Sequence, residues 1–222
     1  MGIQIRNPES MSEKEKRISD EILKVLDKLL DELKSKNLIR TDFKGGEVKI
    51  IDIIKNVDRT SEVYNVVINL FKPENSERIE KIIKADVEFT RENLPYLWVS
   101  TAIESFLSNA ELFKNIFLFI LKKDRQFRSN MTLGLFLDVL ERISPEAVAE
   151  IKKLVDVDLR NALAHRLFVI KRDSFIYFKD IDLKNAEEIK LGEFLIKAKN
   201  HNIITQTLIY LVAQKVRSGF FK

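Results

Sequence analysis

Cysteine is absent from the 222 residues. That excludes disulfides, thiolate-ligated zinc, iron–sulfur clusters and a thiol nucleophile. With only 6 Gly and 4 Pro against 45% hydrophobic and 32% charged residues, the chain is not collagenous, linker-like or disordered. The two histidines, His165 and His201, are too few for a His-rich metal site within one subunit, which leaves carboxylates as the open alternative. P-loop, dinucleotide-binding, HExxH and GxSxG patterns are all missing, so the common templates of nucleotide, zinc and serine chemistry do not apply. The run Ile116 to Leu121 is far too short to span a bilayer. The first residues, MGIQIRNPESMSEKEKR, lack the apolar core of a signal peptide. The expectation is a soluble, cytoplasmic protein without cofactor, metal or membrane contact.

Charge is present and unevenly placed. Lys and Arg number 38 against 34 Asp and Glu, for a net charge of +4. Residues 1–92 are close to neutral, whereas residues 93–222 hold the basic excess, with no acidic residue after Lys197. A basic half of a chain suits an anionic partner. Most carboxylates stand four residues from Lys or Arg, the pattern of a solvated helix face.

Periodicity supplies the elements. Ile18, Ile22, Val25, Leu26, Leu29, Leu30 and Leu33 follow helical spacing. Ser12 and Glu15 form a capping-box pair before them, so a helix is expected over about 13–36. Gly45-Gly46 reads as a turn of a small hairpin, and residues 51–71 and 75–92 as helices separated by Pro73. Pro95 is expected to open a long central helix with Val99, Ala102, Ile103, Phe106, Ala110, Phe113, Phe117 and Ile120 on one stripe. A short helix covers 132–143. Ser144-Pro145 then starts a helix reaching about Leu167. Phe168–Ile170 and Phe175–Phe178 read as a β-hairpin, followed by a last helix over about 191–216.

One string carries possible chemistry: Arg160-Asn161-Ala162-Leu163-Ala164-His165, at the end of a helix. Two structural uses are open for it. Arg160 can pair with Asp156 at i, i+4, and His165 can satisfy the last carbonyls and the helix dipole. The string also resembles the R-x(4–6)-H signature of the HEPN superfamily, whose members often place Asn directly after the Arg and small apolar residues before the His. The likeness covers roughly residues 94–216 and includes the long helix, the segment Met131–Leu137, the motif helix and the hairpin behind it.

The resemblance implies an all-α fold: a HEPN-like up-and-down bundle over 93–222, with a small β-hairpin after the motif helix and a helical extension of unknown role over 1–92. It further implies a metal-independent endoribonuclease, acting as a homodimer on single-stranded RNA, in a toxin–antitoxin or other defence setting. An antitoxin or a nucleotidyltransferase is the kind of partner protein it suggests. The alternative is a non-catalytic dimerisation or nucleotide-binding module.

In the catalytic case His165 is the general acid or base, Arg160 holds the phosphate and steadies its charge, and Asn161 orients either group. Arg160 and His165 lie about 140° apart on an ideal helix, so one helix aims them poorly at one phosphate. Two subunits sharing a composite site would remove the difficulty. Lys122, Lys123, Arg125 and Arg128, with Phe127 among them, could track an RNA backbone with a stacking ring, and Arg166 could add a phosphate contact. Lys171 and Arg172 on the hairpin tip are weaker versions of the same idea. Glu104 is a candidate to reach Arg160 or His165 across the bundle. Trp98 and the Phe113–Phe119 stretch read as core or interface, and His201, at the start of the polar side of the last helix, has no assigned role.

Overall fold

The computed structural model describes residues 12–41, 87–122, 126–128, 130–171 and 173–221, and of residues 87–98 the backbone alone. The expected hairpin around Gly45-Gly46 and the helices at 51–71 and 75–92 lie outside the described residues, apart from the last few positions. Elsewhere the elements run α1 (Glu13–Ser35), α2 (Val87–Ile120), α3 (Leu133–Ile143), α4 (Pro145–Leu154), α5 (Val157–Ala164), β1 (Phe168–Ile170), β2 (Ser174–Phe178), β3 (Ala186–Lys190) and α6 (Leu191–Arg217).

The all-α expectation does not hold. The described residues form six helices and a three-stranded antiparallel sheet in the order β1-β2-β3, a mostly helical but mixed arrangement. The expected hairpin is there as β1 and β2, with Phe168 opposite Tyr177 and Ile170 opposite Phe175. The unexpected strand is β3. Its sequence, AEEIK, has little β propensity and buries only Ile189. It is a strand because five consecutive pairings with β2 satisfy its backbone.

The up-and-down topology is also replaced. α1, α2 and α6 run in the same direction. Between α1 and α6 the contacts advance together: Glu15 with Lys199, Ser19 with Thr207, Asp27 and Asp31 with Lys215, and Lys34 Nζ with the Phe220 carbonyl. Between α2 and α6 they do likewise. The Phe106 ring meets His201 at 4.6 Å, and the Asn109 carbonyl accepts a 3.2 Å hydrogen bond from Thr205. The ends of α1 and α2 are joined by a bridge between Ile39 and Leu121. Parallel neighbours need long connections rather than tight turns, and residues 36–86 and 121–190 are those connections.

Two apolar cores result. The larger packs α1 (Leu26, Leu29, Leu30, Leu33) against the second half of α2, α3, α4 and the second half of α6. Residues 13–35, expected to belong to an extension, are thus part of the main core. The smaller joins Val99 to Phe106 of α2, Leu159, Ala162 and Leu163 of α5, the inner sheet face (Phe175, Tyr177, Ile189) and Phe194 of α6. Phe175 stacks on Phe194 at 4.3 Å. Each fully buried Phe or Leu contributes about 2–3 kcal/mol relative to exposure, whereas an exposed ion pair such as Lys28–Glu146 contributes about 0–1. The apolar seams therefore carry the stability, and the exposed charge pairs add little to it.

Local signals explain the boundaries. Ser12 and Glu15 make the expected reciprocal capping box. Thr132 caps α3 through the Leu135 amide. Pro145 occupies the first turn of α4, but the buried Ser144 hydroxyl makes no capping bond. Pro95 does not open a helix: α2 begins at Val87 and runs through it, across the expected domain boundary at 92/93. The single helix expected from Pro145 to Leu167 is two. Val155 and Asp156 are extended, and Asp156 Oδ1 accepts from the Leu159 amide at 2.9 Å to start α5. The apolar stripe Val148, Ile151, Val155, Leu159 and Ala162 is buried throughout, which is why its periodicity hides the break.

Asp156 has a second task, since its other oxygen takes Lys197 of α6 at 2.9 Å. Asp156→Ala is expected to cost about 1–2 kcal/mol, through the lost cap, read as a lower urea midpoint at unchanged m. Asp156→Asn, which keeps a capping oxygen, should recover most of that loss. Equal loss in both variants would place the contribution in the Lys197 pair instead.

Candidate active site

α5 is short, and its two faces differ. Leu159, Ala162 and Leu163 are buried against α2 and the sheet, while Asn161, Ala164 and His165 face solvent. Arg160 lies between the two, its side chain 18% exposed. It is not paired with Asp156. Its Nη2 donates instead to Glu111 Oε1 of α2, and its Nη1 to Asn161 Oδ1 at 3.2 Å. The buried Nε has no hydrogen-bond partner among the described residues. Glu111 also accepts from Lys114 at 2.6 Å, and the Lys114 side chain is only 9% exposed. Burial alone would raise the Glu111 pKa, but the hydrogen bond and charge of Lys114, with those of Arg160, leave it below the ordinary value. Lys114, Glu111, Arg160 and Asn161 thus form one chain of polar contacts from the interior to the surface.

Glu104, the acid expected to reach Arg160, is exposed. Glu111 stands seven residues further on, two helical turns along nearly the same face. The available signal was an acid and a lysine set within the widest apolar band of the chain, between Ala110 and Phe117.

His165 is the C-cap of α5 and exposed, and its backbone amide donates to the Asn161 carbonyl at 3.0 Å. Its ring has no side-chain partner among the described residues and is open to a ligand. Arg160 faces α2 and His165 faces solvent, so the angular divergence of an ideal helix persists in the fold. The chain then turns sharply. Arg166 N donates to the Leu163 carbonyl and Leu167 N to the Ala162 carbonyl, with Arg166 at φ 58°. This is the left-handed helix stop that normally selects glycine. Phe178 N donates to the Leu167 carbonyl, which ties the turn to β2.

The basic loop is elsewhere. Lys122 follows the end of α2, about 14 Å of helix axis beyond Glu111, and donates to Asn37 Oδ1 at 2.5 Å, pinning the end of α1. Arg128 is exposed, and Phe127 is buried against Phe136 at 6.4 Å, so its ring is not offered for stacking. Lys123 and Arg125, like Arg172 on the hairpin tip and the Trp98 side chain, lie outside the described residues. Lys171 is exposed. Phe113 and Phe117 are core residues, their rings 5.2 Å apart. Among the described residues no cluster of His, Cys, Asp and Glu could hold a metal ion, and no helix is long and apolar enough to cross a membrane.

His201 is not on a polar face. It is fully buried beside Phe106, and neither ring nitrogen has a hydrogen-bond partner on another of the described residues. Burial lowers its pKa to about 4, against smaller opposing pulls from its own backbone carbonyl and then the Asp156 charge. The unfolded chain therefore takes up a proton between pH 6.5 and 4 that the folded chain refuses, and stability falls as pH falls through that window. The loss should reach on the order of 3 kcal/mol near pH 4. Urea midpoints measured from pH 7 to 4.5 should fall for the parent and stay nearly level for His201→Leu. Parallel slopes would show that His201 is not the responsible group.

Arg166 gives a second test. A non-glycine residue at positive φ costs about 1–2 kcal/mol, and the exposed Arg166 side chain makes no compensating contact among the described residues. Arg166→Gly should leave the melting temperature unchanged or raise it, by up to about 1 kcal/mol of stability. Loss of stability in thermal melts would mean that the Arg166 side chain packs.

No protein-family model, curated protein or solved structure matches the chain.

Proposed function

We propose that the chain is a metal-independent endoribonuclease of the HEPN type, working on single-stranded RNA as a homodimer. The observation that carries this reading is the arrangement on α5. Arg160 and Asn161 are hydrogen-bonded side by side, and His165 is exposed at the end of the same short helix. In the reaction the ribose 2′-oxygen attacks the adjacent phosphorus as His165 removes its proton. The bond to the 5′-oxygen breaks, and that oxygen takes a proton from the second acid–base group. The products are a 2′,3′-cyclic phosphate and a free 5′-hydroxyl. Arg160 binds the phosphate and stabilises the charge that builds on its oxygens. Because Arg160 turns toward α2 while His165 turns to solvent, two chains facing one cleft would bring both His165 rings to it, one as base and one as acid, with Arg160 on the phosphate.

The alternative, a non-catalytic dimerisation or nucleotide-binding module, draws on the ion pair between Arg160 and Glu111, which gives the arginine a structural use. One assay separates the two readings. In excess EDTA the parent should cut single-stranded RNA, leave DNA intact and yield cyclic phosphate ends. His165→Ala should lose about 10²–10⁴ in rate while changing stability by about 1 kcal/mol or less, since the ring is exposed. Arg160→Ala should lose rate and RNA affinity together. Cleavage by His165→Ala at the parental rate, or a requirement for Mg²⁺, would overturn the ribonuclease reading in favour of the module.

A further inference from the structure

An arginine side chain has about 2 kcal/mol of rotamer entropy to lose on being fixed. A free one would meet a phosphate with no set geometry. Arg160 is not free. One terminal nitrogen is held by Glu111, reaching over from α2, and the other by Asn161 of its own helix. Glu111 is itself fixed, because its second oxygen takes Lys114 at 2.6 Å and Lys114 is almost fully buried. Two cations on one carboxylate leave the cluster with a net charge of +1, which still favours a phosphate.

We propose that Glu111 is a positioning residue for Arg160. Anchored to Lys114 in the interior, it holds the guanidinium in a fixed orientation and leaves the remaining terminal N–H groups for the scissile phosphate. The inference rests on the ribonuclease reading for its chemistry, but the anchoring itself is physical and can be measured without turnover. It also predicts a split that a merely structural glutamate would not produce. Losing the carboxylate removes a negative charge near the phosphate, so ground-state RNA binding should hold or tighten. Turnover should fall, because the guanidinium is no longer held where the transition-state charge develops.

The test uses the full chain and a single-stranded RNA oligonucleotide of mixed sequence. Glu111→Gln should lower kcat by about tenfold or more. Affinity, measured in the His165→Ala background to prevent cleavage, should be unchanged or up to about threefold tighter, as the loss of one nearby negative charge requires. Glu111→Asp keeps the charge but retracts it. It should show the same split more weakly, and it serves as the measured variant if circular dichroism shows Glu111→Gln to be unfolded. In parallel, the Arg160 Nε–Hε resonance of ¹⁵N-labelled protein should exchange slowly in the parent and measurably faster in the variant. If the parent cuts RNA and the variant cuts equally fast, the positioning role is overturned and the ribonuclease reading stands. If the parent does not cut, the ribonuclease reading fails. The Nε–Hε exchange then decides: faster exchange in the variant upholds Glu111 as the anchor of Arg160, and equal exchange overturns it.

Discussion

The seam between α2 and α6 is the constraint on which the rest of the structure depends. Both helices pass through both cores, and α3, α4, α5, β2 and β3 pack on one or the other, with α1 on α6 and β1 held through β2. Phe106, Phe113 and Phe117 of α2 and Ile204, Leu208 and Val212 of α6 are essentially without solvent contact. Burial on that scale outweighs the polar costs built into the seam. Thr205 spends its hydroxyl on backbone carbonyls of both helices, and His201 is held neutral without a hydrogen-bond partner on another of the described residues. An unsatisfied buried polar group costs about 1–3 kcal/mol, comparable with what one buried Phe returns. The seam tolerates one such histidine because the apolar surface buried along the rest of it, Phe106 against the ring included, outweighs that cost.

That seam also fixes the candidate site. α5 has only eight residues, too short to persist alone. It exists because Leu159, Ala162 and Leu163 bury against α2 and the sheet, and because Asp156 both starts the helix and ties it to α6 through Lys197. The sheet closes the other end by accepting Leu167 into its ladder. Arg160 and His165 therefore leave a rigidly seated helix. Arg160 is then fixed a second time by Glu111. In the proposed reaction such support would serve charge stabilisation, since reorganisation at the moment of reaction is what preorganised sites avoid.

Much of the helical content was legible in the sequence, and the reason is local. The boundaries of α1 and α3 follow from caps and a 3.6-residue stripe, as the capping box of Ser12 and Glu15 illustrates, and those of α6 from the stripe alone. The pairing of β1 with β2 was legible from alternating aromatic and β-branched residues. The break at Asp156 was not, because the apolar period continues across it. Nor was β3, whose residues become a strand only when β2 offers a partner. The direction of the helices was misread for a similar reason: an up-and-down bundle is the usual solution for short connections, and here the connections are long.

In the candidate site the sequence by itself determined which residue types are present and their order: Arg160, Asn161 and His165 on one short segment, in a chain with no cysteine and one other histidine. It also placed His165 in the last turn of a helix, because the helical apolar period gives way to a β pattern a few residues on; the stop itself, at a non-glycine Arg166, has no local signal. Only the tertiary structure decided what those groups face. Glu111, not Glu104 or Asp156, holds Arg160. Lys122 is spent on Asn37, and Phe127 and His201 are buried. Each of these outcomes depends on which helix lies across from which and at what register. That is set by burial of apolar surface between segments distant in the chain, and no local spacing encodes it.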